Sequence, residues 1–223
     1  MNFKFQLLRG EKSSPRLGVF ATPHGKVATP HFMPVATRGL MRGPWTNRLQ
    51  PMGVEMILAN SFHLFARPGI DVINKLGKLH KAMAWDGPIL TDSGGFQAFS
   101  LDNVKIHDKG VQIPHPVHGA KVDWTPKLAF EVQEQLAPDV AMLLDVCPPD
   151  PRDRDDVALA VRRTLNWAQE QRRYHEDRGG TESGQAQFGI VQGGVFPDLR
   201  EACATELCNL DFDGYAVGGV SVG

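Results

Sequence analysis

The sequence predicts an α/β fold: a (β/α)8 TIM barrel truncated after about six strands, with N-terminal antiparallel strands and an inserted hairpin. Three observations predict it. Short apolar runs alternate with segments of helical period, the pattern of a mostly parallel sheet. Polar and glycine residues of unusual type gather at the carboxyl ends of those runs, the face on which such a barrel builds its site. The last run ends almost at residue 223, whereas eight strand and helix units need about 250 residues. The expected organisation is one partial barrel over 1–223, with antiparallel strands in 1–30, barrel strands in 31–223 and an insertion at 99–125.

In 1–30, Phe3, Phe5 and Leu7 alternate with polar residues, as do Leu17 and Val19 after the break at Ser13-Ser14-Pro15; short antiparallel strands follow. Six buried-strand candidates come next: His31–Thr37, Glu55–Ser61, Pro88–Gly94, Asp139–Asp145, Gln187–Gly193 and Gly214–Gly219. Val104, Ile106, Val111 and Ile113 alternate around Asp108-Lys109-Gly110, which reads as the inserted hairpin. Thr125-Pro126 supplies an N-cap and a proline at N1 for a helix through Phe130 and Leu136 that stops near Pro138. The stretch 153–178 carries Val157, Val161, Leu165 and Ala168 at helical spacing. Asp153, Asp155 and Asp156 lie in its first turn and Arg172, Arg173 and Arg178 near its end, which complements the helix dipole.

Composition narrows the class. Of 223 residues, 42% are apolar and 22% charged, enough for a sizeable core and unlike a disordered chain. No run reaches the ~20 apolar residues of a membrane helix, and the N-terminus lacks the pattern of a signal peptide, so a soluble cytoplasmic protein without a membrane partner is expected. Three cysteines, Cys147, Cys203 and Cys208, make no disulfide framework and are expected to be reduced. Net charge is −1, yet residues 1–50 hold eight Lys and Arg against Glu11 alone. Such a segment is either a solvated surface or an edge facing a polyanion.

The chemistry gathers in four strings. In Pro88-Ile-Leu-Thr-Asp92-Ser93-Gly94-Gly95-Phe96-Gln97, two glycines after a strand offer backbone amides, Asp92 can trade protons and Phe96 offers a flat face. A tight strand-to-helix turn capped by Asp92 accounts for the same residues. Asp-Ser-Gly-Gly also surrounds the nucleophile of trypsin-like proteases, but parallel-strand alternation and unpaired cysteines argue against that fold. Asp145 ends an apolar strand before Cys147-Pro148. A buried carboxylate needs donors, either from the following backbone or from a ligand such as a guanine-type base. Gly189-Ile-Val-Gln192-Gly193-Gly194 adds a side-chain amide, and Gly214-Tyr-Ala-Val-Gly218-Gly219-Val220 adds backbone donors. A planar heterocycle suits this set better than a phosphate or sugar.

These strings, in this order and spacing, together with ATPHFMPVATRG at 28–39 and ILANSFHL at 57–64, resemble queuine/archaeosine tRNA-ribosyltransferases, the tRNA-guanine transglycosylases, most closely the bacterial type. The resemblance implies exchange of guanine at the anticodon wobble position of tRNA for a 7-deazaguanine, pre-queuosine-1, in queuosine biosynthesis. It implies Asp92 as the proton-accepting catalytic aspartate and Ser93, Gly94 and Gly95 as pocket walls. Phe96 would stack on the base and Asp145 bind its Watson–Crick edge, while Gln192 and the Gly219 amide donate to its carbonyl. Asn60 would orient Asp92. The expected partners are the tRNA anticodon loop, guanine or a 7-deazaguanine, and a second copy in a homodimer of the full-length protein.

The family's nucleophilic aspartate and its zinc-binding Cys-x-Cys-x-x-Cys…His cluster lie downstream of the last string. The resemblance therefore implies zinc for the full-length family, no metal ligands in this chain, no organic cofactor, and a fragment without the nucleophile. Cys203 and Cys208 lack structural-zinc spacing. Val146 stands where bacterial members usually carry an acid. Two other readings are weighed: a non-catalytic tRNA-binding subunit of the same fold, which need not keep Asp92, Asp145 and Gln192, and an unrelated barrel such as a phosphate-binding aldolase. The latter wants a Schiff-base lysine at a strand end, and no candidate strand ends in lysine.

Overall fold

The computed structural model describes residues 3–11, 13–41, 46–95, 103–148 and 150–220. Strands β1 (Lys4–Arg9), β2 (Leu17–Thr22) and β3 (Gly25–Thr29) form an antiparallel sheet in that order. Then come β4 (Ile57–Asn60), the short helices α1 (Ser61–Ala66), α2 (Ile70–Lys75) and α3 (Lys78–Met83), and β5 (Ile89–Asp92). The insertion is a three-stranded antiparallel sheet: β6 (Lys105–His107), β7 (Gly110–Pro114) and β8 (Lys121–Trp124). After it follow α4 (Pro126–Leu136), β9 (Val140–Met142), α5 (Arg154–Asp177), β10 (Ala186–Val191), α6 (Pro197–Asn209) and β11 (Gly214–Val217).

Local chemistry explains the helix starts. Thr125 accepts a hydrogen bond from the Leu128 amide at 3.1 Å, and Pro126 follows at the position where a missing N–H costs nothing. Asp153 accepts from the amides of Asp155 and Asp156 at 3.0 and 3.1 Å and opens α5. One stripe of α5 is buried: Val157, Ala160, Val161, Thr164, Trp167, Ala168, Gln171 and His175.

The central sheet is parallel, ordered β11-β10-β9-β5-β4. Register aligns the carboxyl ends: Asn60 pairs with Asp92, and Val191 with Val217. Side chains alternate between two cores. On the helix side, Ile57, Ala59 and Ile89 pack with Phe62, Trp124, Val132, Leu136 and Trp167. On the other, Leu90, Val140, Met142, Ala186 and Ile190 pack with Val27, Met56, Phe3 and Phe20, so the N-terminal strands cover that face.

Five of the six barrel-strand candidates form strands. His31–Thr37 does not: it touches β4 through a single bridge, Val35 to Leu58. Pro34 explains this, because it has no N–H to give a ladder. The bonds that survive lie from the Pro34 carbonyl onward: the Leu58 amide donates to Pro34 O at 3.0 Å, the Ala36 amide to Leu58 O at 2.7 Å and the Asn60 amide to Thr37 O at 3.4 Å. Among the described residues the parallel sheet is open, with β4 and β11 at its edges, and is not closed into a barrel. The insertion gains a third strand, β8, beyond the expected hairpin.

Candidate active site

Parallel strands deliver their carboxyl ends to one rim, and that rim holds Asn60 of β4, Asp92 of β5, Asp145 beyond β9, Gln192 after β10 and Gly218-Gly219 after β11. Of the residues expected at the site, Asn60, Asp92, Ser93, Gly94, Gly95, Asp145, Gln192 and Gly219 are described here. Phe96 and Gln97 lie outside the described residues, as does the end of the last motif at 221–223.

Asp92 is held from several sides. Asn60 Nδ2 donates to its Oδ2 at 3.0 Å, while Asn60 Oδ1 accepts from the His63 amide at 3.0 Å and so caps α1. The Ser61 hydroxyl donates to the Asp92 carbonyl at 2.7 Å and Trp124 Nε1 to the Ser93 carbonyl at 2.9 Å. Burial pushes the Asp92 carboxyl above its ordinary range, and hydrogen bonds from the Ser93 amide, Asn60 and the Gly94 amide pull it partly back.

Two glycines let the walls close. Gly94 sits at φ +89°, and a Cβ there would lie 2.8 Å from Phe62 Cβ. A Cβ on Gly95 would collide with Asp145 Oδ1, so the turn after β5 lies directly against the second carboxylate.

Asp145 is buried and accepts from Gln192 Nε2 at 2.6 Å. Burial first, and the Asp92 charge second, push its pKa to about 7. The strand supporting it is short, and α5 completes the job. Gln171 Oε1 accepts from the Leu144 amide at 3.0 Å and its Nε2 donates to the Leu144 carbonyl at 3.4 Å, while Thr164 Oγ1 accepts from the Val146 amide at 3.0 Å, so Asp145 hangs between two fixed peptides. Gln192 is almost fully buried, and its Oε1 has no hydrogen-bond partner among the described residues. With one Nε2 proton on Asp145, the amide keeps a second proton to offer. A Cβ on Gly218 would lie 2.5 Å from Gln192 Nε2 and 2.7 Å from Ile190 Cγ2, so this amide too needs a glycine beside it.

Sequence reasoning missed Thr164, Gln171 and Arg200. Arg200 of α6 donates from Nε to the Gly194 carbonyl at 2.7 Å and from both terminal nitrogens to the Gly218 carbonyl at 3.1 and 3.2 Å. The available signal was polar residues, Thr164 and Gln171, falling on the apolar stripe of α5. Beside the rim, Arg38, His63, Arg67, Pro116 and Val117 line a cavity of 230 Å³. Burial and the Arg38 charge push the His63 pKa down.

At the opposite end of the sheet, His24, His80 and Asp139 bring three potential ligand atoms within 4.8 Å. Their geometry does not fit an ion. The two imidazoles stack at 3.6 Å and 15°, and lone pairs in near-parallel stacked planes cannot converge on one metal. The trio is a hydrogen-bond bracket instead, with Asp139 receiving His24 Nδ1 at 2.9 Å, His80 Nε2 at 3.1 Å and the Ile89 amide at 2.9 Å. Burial alone would raise the Asp139 pKa, but these bonds outweigh it and hold it at about 2. Cys147 is also remote from ligand chemistry: burial and the Asp145 charge push its thiol up to about 11.

A sequence model of the family described as queuine tRNA-ribosyltransferase matches residues 11–223. The chain belongs to that family. It is similar to the queuine tRNA-ribosyltransferase of Gloeobacter violaceus, 51% identical over 209 residues, which are 93% of this chain and 54% of that protein. The Desulforamulus reducens protein of the same name is 44% identical over 225 residues, covering 100% of this chain and 60% of the relative. The Staphylococcus epidermidis one is 46% identical over 214 residues, 96% and 55% of the two chains. The chain thus spans little more than half the length of these family members.

Proposed function

We propose that this chain supplies the base pocket and the proton-transfer aspartate of a tRNA-guanine transglycosylase. The observation that carries the reading is that the buried Asp145, bonded by the Gln192 amide, and the half-buried Asp92 stand at the carboxyl ends of parallel strands, both with raised pKa. In this reading the five parallel strands are part of a (β/α)8 barrel, a single partial domain over 1–223, completed by parts of the gene product outside this chain.

The ionised Asp145 accepts the N1–H and 2-amino group of guanine or pre-queuosine-1. The free Nε2 proton of Gln192 and the Gly219 amide donate to the 6-oxo group. A carboxylate from outside this chain attacks C1′ of the wobble nucleotide, forming a C–O bond as the C1′–N9 bond breaks. The departing guanine takes its proton from the Asp92 carboxyl, leaving the carboxylate that serves the next step. The incoming deazaguanine passes its N9 proton to Asp92, forms its own bond to C1′ and releases the carboxylate. Asn60 keeps Asp92 aimed, and its hydrogen bond favours the ionised form. The target base is extruded from the anticodon loop, as single-stranded RNA is commonly read. Arg38, His63 and Arg67 beside the rim suit a flanking phosphate.

The full-length protein is further proposed to be a cytoplasmic homodimer that carries zinc. None of the described residues of this chain provides a fitting zinc site, and no step above passes through the metal. No helix among the described residues is long and apolar enough to cross a membrane.

The test is exchange of labelled guanine into tRNA by the complete gene product. Exchange is expected, with Asp92→Ala lowering it by about a thousandfold or more. Retained exchange in that variant removes Asp92 from the mechanism. Tight tRNA binding by a wild-type protein incapable of exchange establishes the non-catalytic subunit in its place.

A further inference from the structure

Arg200 lies in the first turn of α6, where its amide donates to the Phe196 carbonyl at 3.1 Å. Its side chain runs back across Gly193: a Cβ built there would come within 2.6 Å of Arg200 Cγ. The half-buried guanidinium then reaches two loops at once, with Nε on Gly194 O and the terminal nitrogens on Gly218 O. One planar cation thus ties the loop carrying Gln192 to the loop carrying Gly219, using charge-assisted bonds in the fork geometry that only arginine offers.

The consequence follows from peptide geometry. The carbonyl of Gly218 and the N–H of Gly219 belong to one trans peptide and point in opposite directions across its plane. Holding the oxygen therefore aims the hydrogen. Glycine on both sides leaves this plane free to rotate, and Gly219 already stands at φ +73°. A Cβ on Gly219 would lie 3.2 Å from Gln192 Oε1 and 3.6 Å from the Arg200 guanidinium, so the residue sits between the arginine and the pocket amide. Turned over, the same plane would present an acceptor where the 6-oxo group of a guanine-type base needs a donor.

We infer that Arg200 is a positioning residue for base recognition: it fixes the Gly218–Gly219 peptide so that the Gly219 N–H faces the 6-oxo group of the base. The inference rests on the base-exchange reading for its ligand. It assigns Arg200 to binding of the free base rather than to chemistry at C1′.

The test uses Arg200→Gln and Arg200→Lys in the complete gene product, with guanine as the probe. Arg200→Gln is expected to raise KM for guanine about tenfold while kcat changes less than about threefold. Arg200→Lys, able to reach one carbonyl but not bridge two, is expected to fall between it and the wild type. A merely structural arginine would lower kcat through loss of folded enzyme and leave KM in place, and that pattern overturns the inference. A crystal structure of either variant gives the second readout, which needs no activity. A turned or doubly placed Gly218–Gly219 peptide supports the assignment, and an unmoved plane refutes it. A wild-type protein incapable of guanine exchange defeats the base-exchange reading instead, while the peptide orientation still decides the role of Arg200.

Discussion

Replacing Asp145 by Asn should make the protein more stable and less active, and the stability gain should depend on pH in a specified way. The native carboxyl titrates at about 7, against about 3.9 in an unfolded chain. The folded state therefore holds this proton more tightly than the unfolded state does. Below pH ~4 both states are protonated and burial of the group carries no ionisation penalty. Between pH ~4 and ~7 each pH unit costs the fold about 1.4 kcal/mol, and above that the penalty levels off at about 4 kcal/mol. Asn keeps the shape and an oxygen for Gln192 but cannot ionise. The variant's advantage should thus grow by about 3 kcal/mol between pH 5 and pH 8. The assay is urea unfolding of wild type and variant at both pH values, comparing midpoints at constant slope. A stability difference equal at the two pH values, within about 0.5 kcal/mol, would refute the burial argument. In the exchange assay the same variant presents an NH2 to a donor on the base and should lose about 10²-fold to 10³-fold in kcat/KM for guanine.

Other consequences can be checked alongside. Guanine binding should strengthen as pH rises through about 7, because only ionised Asp145 accepts both donors of the base; calorimetry should find protons released on binding at pH 6. Asn60→Ala removes a bond that favours ionised Asp92, so the acidic limb of the exchange pH profile should move to higher pH, and an unmoved limb would detach Asn60 from that role. Thr164→Val leaves the Val146 amide without its buried acceptor and should cost about 1–3 kcal/mol in unfolding, with a weaker hold on guanine. Asp139→Asn should cost about 2 kcal/mol at pH 7, and the loss should vanish between pH ~4 and ~2, where the depressed Asp139 carboxyl itself takes up a proton; a pH-independent loss would count against the bracket.

Much of this architecture is legible in the residues themselves. Thr125-Pro126 and Asp153 mark helix starts because a side-chain acceptor and a missing N–H act locally, and both helices begin there. The strand ends are legible because apolar runs stop at polar or glycine residues, and parallel pairing then brings Asn60 beside Asp92. His31–Thr37 misled because its apolar content was strand-like, while the ladder depends on the N–H that Pro34 lacks. β8 was hard to separate from the hairpin, since whether Lys121–Trp124 pairs is decided across the chain by β7. Thr164, Gln171 and Arg200 escaped for a related reason. A polar side chain on a helix looks the same in sequence whether it meets water or a distant carbonyl or amide.

The short reach of β9 has a bearing on redesign. It ends at Met142, and the peptides on either side of Asp145 are secured by a hydroxyl and an amide projecting from α5. In Asp145's surroundings the outer layer of the molecule therefore acts as the jig, and the groups of the proposed base pocket are the workpiece. Libraries seeking altered base preference would do well to include Thr164 and Gln171, two helix positions at which conservative exchanges can shift a carboxylate by fractions of an ångström while leaving the pocket's own inventory of donors and acceptors intact.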